Sequence, residues 1–431
     1  MKNILLTGQC TLHKGRMESG NIGNYYILEP LIQQIKKTFP GVDLQTTFQL
    51  TASFCKREKV ISLPMNLYYS WSENDLDLAL KELGIALIFH KTNKLISKTP
   101  FISAVMDSDM VIDFSGDIWG DNADLVGDNR FLIGSIKDRV AQLLKKKTVM
   151  LAGSPGPFKD ENILKFAKEV YSGFDLVTNR ESISKKLLRK QSFDVSRTKD
   201  YACPAFLFES KKNIEKILEK EGLNNRSETK LGFILCGWNF TKGPYNKPRR
   251  KDADFLPFVK LIEHISRNYS PSIYLLSHSN GFDVVKDKFK LKHGRDYPII
   301  KQLENILRKR KVAKKIHSLN GIYDPWTTKA LIGNFDMLVS GRIHGSVAGL
   351  SQMIPTVMID YGHEPKAHKI KGFAEVVGVG KYVADPVRKN DLINKFDKCW
   401  SKKDEIKKLL KKRIPRVKKL ALQNFSDLRN I

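Results

Sequence analysis

One pattern constrains this chain more than any other: short apolar runs, each ending in a Gly, Ser or Asp loop ahead of a helical stretch. Ile4–Thr7, Met110–Phe114, Thr148–Ala152 and Leu176–Thr178 form a first series. Leu231–Leu235, Ile273–Leu276, Met337–Ser340 and Thr356–Ile359 form a second. Runs of this kind read as the strands of parallel βα units. A polar stretch, 210–230, lies between the two series. At 431 residues, and with roughly 150 per domain, one core is too few. The pattern therefore predicts an α/β protein of two Rossmann-like domains facing each other across a cleft. The expected division is an N-terminal domain 1–209, a crossing helix and linker 210–230, a C-terminal domain 231–400 and a basic C-terminal helix 401–431. In that helix Ile406, Leu410, Val417 and Leu420 recur at helical spacing, and Pro415 is expected to kink or break it.

Composition removes several classes. An apolar share of 41% with 10% aromatics can build sizeable cores, so disorder is excluded as a description of the whole chain. No apolar run approaches the ~20 residues that span a bilayer. Met1–Gly8 reads as a first strand rather than a secretory signal. Cys10, Cys55, Cys203, Cys236 and Cys399 are widely spaced with no CxxC, which argues against a disulfide framework or a zinc site and points to a reducing cytosol. No clustered carboxylates call for a metal, and no cofactor fingerprint follows the first strand. The 74 basic and 46 acidic residues leave a net charge of +28, which suits an anionic partner. Between Lys402 and Leu420 ten Lys and Arg stand against Asp404 and Glu405. That face either closes the domain as a solvated helix or meets anionic lipid headgroups at the inner face of a membrane. A nucleic-acid-binding protein would also explain the charge, but no recognition motif is present and strand-end Arg and His would have no purpose.

In open α/β sheets, ligands gather at the carboxyl ends of the strands. Four loops there are unusual. Gly20-Asn21-Ile22-Gly23 permits close backbone approach to a phosphate or sugar. Ser115-Gly116-Asp117 puts a carboxylate after an apolar strand, a common place for a general acid or base. Thr178-Asn179-Arg180-Glu181-Ser182 puts an arginine where a helix begins, suited to an anion. Gly341-Arg342-Ile343-His344-Gly345 sets a guanidinium two residues from an imidazole that titrates near neutrality. Tyr361–Lys366 follows another apolar strand with a further histidine and lysine.

Together with Ala152-Gly153-Ser154-Pro155-Gly156-Pro157-Phe158, these motifs resemble the polysaccharide pyruvyl transferase family, in the family's order and over roughly residues 1 to 375. The resemblance implies a GT-B-like fold and transfer of pyruvate from phosphoenolpyruvate onto sugar hydroxyls as a ketal. It implies that Arg180, Arg342, His344 and Lys366 (or Lys369, which the spacing also allows) hold or activate the donor. Gly20, Asn21, Gly23 and Ser154 are further candidate contacts to substrate. Phosphoenolpyruvate needs two or three convergent cations, His344 is the first candidate acid and Asp117 the candidate base, and the two roles can be exchanged. The expected acceptor is a polysaccharide or its lipid-linked precursor. A GT-B glycosyltransferase using a nucleotide sugar is the main rival, because a diphosphate also needs arginine.

Overall fold

The computed structural model describes residues 1–120, 123, 127–225, 227–241, 247, 249–285, 288–312, 315–361 and 367–431. By its internal contacts the chain forms two compact units. The first comprises Met1–Met17, Pro30–Pro204 and Leu420–Ile431, the second Glu18–Glu29 and Ala205–Lys419. Chain order is thus broken twice: the glycine loop near Gly20 belongs to the second unit, and the end of the C-terminal helix to the first.

The first unit is built on β1 (Asn3–Thr7), β2 (Asp43–Thr46), β3 (Ile61–Ser62), β4 (Met110–Asp113), β5 (Lys147–Gly153), β6 (Leu176–Asn179) and β7 (Thr198–Asp200). They form one parallel sheet in the order β3-β2-β1-β4-β5-β6-β7. The second unit has β8 (Lys230–Ile234), β9 (Ser272–Leu275), an antiparallel hairpin of β10 (Asn280–Val285) and β11 (Lys288–His293), then β12 (Ile316–Ser318), β13 (Met337–Ser340), β14 (Thr356–Ile359) and β15 (Val383–Ala384). Apart from the hairpin these make a parallel sheet ordered β12-β9-β8-β13-β14-β15.

All eight apolar runs are strands, and they occupy the middle of the sheets. β4, β6, β8, β9, β13 and β14 are buried along their whole length, as strands covered by helices on both faces must be. The strands of the two parallel sheets without such runs, β2, β3, β7, β12 and β15, are short or polar and lie toward the edges.

The helix after β6 starts at Ile183, where Glu181 turns its carboxylate onto the amides of Ile183 and Ser184. One detail departs from expectation. Pro415 does not break the C-terminal helix, which runs unbroken over Lys403–Ser426. Ile406, Leu410, Ile414, Val417, Ala421 and Phe425 are buried along one face, and packing on both sides of the exposed proline outweighs a penalty of about 3 kcal/mol. Among the described residues no helix is long and apolar enough to cross a membrane.

Candidate functional site

In the second unit the strand order reverses between β8 and β13, so the loops leaving β8, β9 and β13 crowd one edge of the sheet. β13 passes through Gly341 and Arg342 into the helix Ile343–Ser351, which puts His344 in its first turn. Arg342 caps that helix with its backbone, the carbonyl accepting from Ser346 N–H. Its guanidinium is gripped from inside the protein: Nε donates to Asp296 Oδ2 at 3.0 Å and Nη2 to Oδ1 at 2.5 Å. Asp296 is fully buried at the start of the helix Asp296–Lys309, and its amide donates to Ser279 Oγ at 3.2 Å.

The glycine loop joins the same place. Asn280 N–H donates to Gly20 O at 2.7 Å, and Asn21 bridges Ser279. Asn21 Oδ1 accepts from Gly23 N–H at 3.2 Å, which shapes the entry into the helix Ile22–Thr38. Gly23 then passes so close to His344 that a Cβ there would lie 2.5 Å from both Cβ and Nδ1 of the histidine. The glycine is a packing requirement of the imidazole.

Charge here is nearly balanced. Burial lowers the Arg342 pKa, but Asp296, Cys236 and Tyr361 together more than offset it and the group is pushed up, so the guanidinium stays charged. His278, in the loop after β9, is fully buried with neither ring nitrogen hydrogen-bonded, and the ring of Tyr26 stands edge-on 5.5 Å away. Burial, then the nearby Arg342, lowers its pKa to about 3, so it is neutral in the folded protein. Asp296 takes two of the five guanidinium donors.

The first unit has its own strand-end cluster, between β1 and β4, where its order reverses. Gly8 follows β1 at φ 103°, and a Cβ there would fall onto the backbone of Phe114 and Ser115. Gln9 Nε2 donates to Ser115 O at 2.7 Å. Arg180 follows β6, is 5% exposed, and its Nε donates to Ser154 Oγ at 2.9 Å. Its Nη2 stands 3.9 Å from Asp117 Oδ1, and Ser154 N–H donates to Gly116 O at 2.8 Å. Beneath this layer Arg130 donates to Gly8 O and lies over the rings of Tyr68 and Tyr69. The carboxyls of Asp113 and Asp138 beside it are raised, first by their burial.

The expected residues therefore fall into two groups. Gly20, Asn21, Gly23, Arg342 and His344 meet in the second unit; Asp117, Ser154 and Arg180 meet in the first. Lys366 lies outside the described residues, and Lys369 is fully buried in the helix Ala367–Val377. Sequence reasoning missed Asp296, His278 and Arg130. Arg130 left a signal, since Arg130, Lys137 and Asp138 interrupt the apolar face formed by Ile133, Ile136 and Val140. Among the described residues, no group of three or more His, Cys, Asp or Glu is placed to hold a metal ion.

Residues 21–363 match the sequence profile of the polysaccharide pyruvyl transferase family. The chain belongs to that family. The match spans both clusters except Gly8, Gln9 and Gly20, and it carries the chain into polysaccharide biosynthesis as a transferase. No curated protein matches the chain in sequence. Among solved structures, Anabaena HepE in complex with UDP-glucose is similar at TM-score 0.56 and 12% identity, over 99% of this chain and 98% of that one. The UDP-GlcNAc 2-epimerase of Methanocaldococcus jannaschii is similar at 0.54 and 16% identity, over 93% and 92%. The lipopolysaccharide outer core galactosyltransferase WaaB, in its apo form, is similar at 0.52 and 11% identity, over 99% and 98%. At such identities the likeness concerns the fold: this pyruvyl transferase family member has the GT-B-like architecture of two α/β domains with parallel sheets.

Proposed function

We propose that this protein transfers pyruvate from phosphoenolpyruvate to two hydroxyls of a sugar, forming a ketal and releasing phosphate. The observation that carries the reading is the meeting of the Gly20–Gly23 loop with the Arg342-x-His344 loop in one unit. A fixed guanidinium, a titratable imidazole and a helix N-terminus stand together there, and each favours an anion. Because Asp296 neutralises Arg342, the helix N-terminus and the proton that His344 is proposed to donate supply the remaining positive field for the donor.

In the reaction His344 gives a proton to the enol methylene, which becomes a methyl group. The first sugar hydroxyl adds to the resulting cationic carbon, and its proton passes to the phosphate oxygen that will leave. Phosphate then leaves, the second hydroxyl adds, and its proton goes to a base, for which Asp117 is the candidate. Arg180, buried and oriented by Ser154, is a second cation for an anionic group. Lys366 keeps its place as a donor contact only through the family resemblance.

The acceptor is proposed to be a polysaccharide or its lipid-linked precursor. Lys408, Lys411, Lys412, Arg416 and Lys419 are exposed on the C-terminal helix. Its apolar face is buried, so any contact of this helix with anionic lipid is electrostatic and salt-sensitive.

Incubating the purified protein with phosphoenolpyruvate and candidate glycans tests the reading. Acceptor-dependent release of inorganic phosphate, with a pyruvylated product by mass spectrometry, is expected. Release of a nucleoside diphosphate from a nucleotide sugar, with no turnover of phosphoenolpyruvate, would instead establish the glycosyltransferase reading.

A further inference from the structure

The helix Asp75–Thr92 of the first unit carries apolar residues on its outer face as well as its inner one. Its inner face packs on the helix Arg130–Leu143, where Glu82 and Lys137 form a buried ion pair at 2.5 Å. The outer face of a surface helix is normally polar. Here Leu80, Leu87 and Ile88 are 48%, 42% and 40% exposed, and with the half-buried Leu76 and Leu83 they form one stripe at helical spacing. Isolated exposed leucines are unremarkable, but a contiguous stripe marks an interaction surface.

Two further features say what covers it. Gly84 lies in the middle of the stripe, and a Cβ there would meet nothing within 4 Å. Packing inside the unit gives no reason for a glycine, although glycine is among the poorest helix formers. The charges at the two ends of the stripe are opposite, Glu73 and Asp77 exposed at its amino end and Lys91 and Lys94 at its carboxyl end, with Lys81 exposed beside it near Gly84.

We propose that this stripe is the contact face of a homodimer, with two copies of the helix packed antiparallel about Gly84. A two-fold axis at Gly84 opposes residues equally distant from it. Leu80 then faces Ile88 of the second copy, Asp77 faces Lys91, and Glu73 comes near Lys94. The bare backbone at the crossing lets the axes approach closely. Parallel packing would set like charges against each other. A lipid surface would have to bury Asp77 and would gain nothing from Gly84. One helix face is small for a stable interface, so the dimer forms reversibly with concentration. This surface stands apart from the chemistry at the strand ends, and either can fail without the other.

Analytical ultracentrifugation of the full chain over a concentration series is the test. A monomer–dimer equilibrium is expected in the wild type. Asp77→Lys and Lys91→Asp should each raise the dimer Kd by about tenfold or more, and the two together should bring it back to within about threefold of wild type. Gly84→Gln has open space in the monomer, so it should keep the fold, checked by circular dichroism, and lose the dimer. A chain that is monomeric throughout, or a dimer indifferent to these four variants, overturns the proposal. So does a monomer that floats with phosphatidylglycerol vesicles and is released by Leu80→Ser with Leu87→Ser, because lipid would then be the occupant.

Discussion

Replacing Gly23 by alanine sets two effects of opposite sign against each other. The residue sits at the start of the helix Ile22–Thr38 and needs no left-handed backbone, so helix propensity alone would make alanine better by about 0.5–1 kcal/mol. The tertiary contact opposes this. The new methyl would lie 2.5 Å from Cβ and Nδ1 of His344 and 2.7 Å from its Cγ. Carbon atoms in contact rest near ~3.5 Å, so about 1 Å must open. Rotating the imidazole does not relieve the clash, because His344 Cβ is fixed to its own helix. Overpacking of this kind costs about 1–3 kcal/mol, which exceeds the propensity gain. The net expectation is a loss of about 1–2 kcal/mol, or a Tm lowered by roughly 2–8 °C for a unit of this size. If His344 acts on the donor, displacing it by about 1 Å should also slow turnover about 100-fold. Differential scanning calorimetry and phosphate release from phosphoenolpyruvate measure the two effects separately. A variant at least as stable as wild type would refute the contact. A variant with the expected drop in Tm and full turnover would leave the contact standing and remove His344 from the chemistry.

Other outcomes follow from the second unit. Asp296→Asn leaves a largely buried guanidinium without its counter-charge and should cost about 3–5 kcal/mol in urea unfolding; an unchanged midpoint would mean that Arg342 turns to solvent or to another carboxylate. His278 loses its proton near pH 3 when folded and near 6.5 when unfolded. Between those values the unfolded chain binds more protons, so stability should fall as pH drops through this window, by at most about 1.4 kcal/mol per pH unit. His278→Phe should flatten that part of the stability–pH curve, and a slope identical to wild type would place the titration elsewhere.

The sequence alone determined the central strands. A continuous apolar run such as Met337–Ser340 has one low-energy use in a chain of this size, which is burial on both faces of a sheet. It determined where functional side chains would cluster, because loops after such strands expose backbone N–H groups and helix N-termini. The edge strands were not legible: Thr198–Asp200 and Ile316–Ser318 carry no apolar signal and form only because a neighbour offers its open edge. Pro415 read as a helix breaker by local rules, and only the buried face on both sides of it decided otherwise. Pairings across the chain belonged to the tertiary structure altogether. Nothing near Arg342 in sequence names Asp296 as its partner, and nothing near Gly23 names His344. Those choices were made by the order of β8, β9 and β13 in the sheet, and strand order depends on contacts between distant residues that local sterics and hydrophobic spacing do not encode.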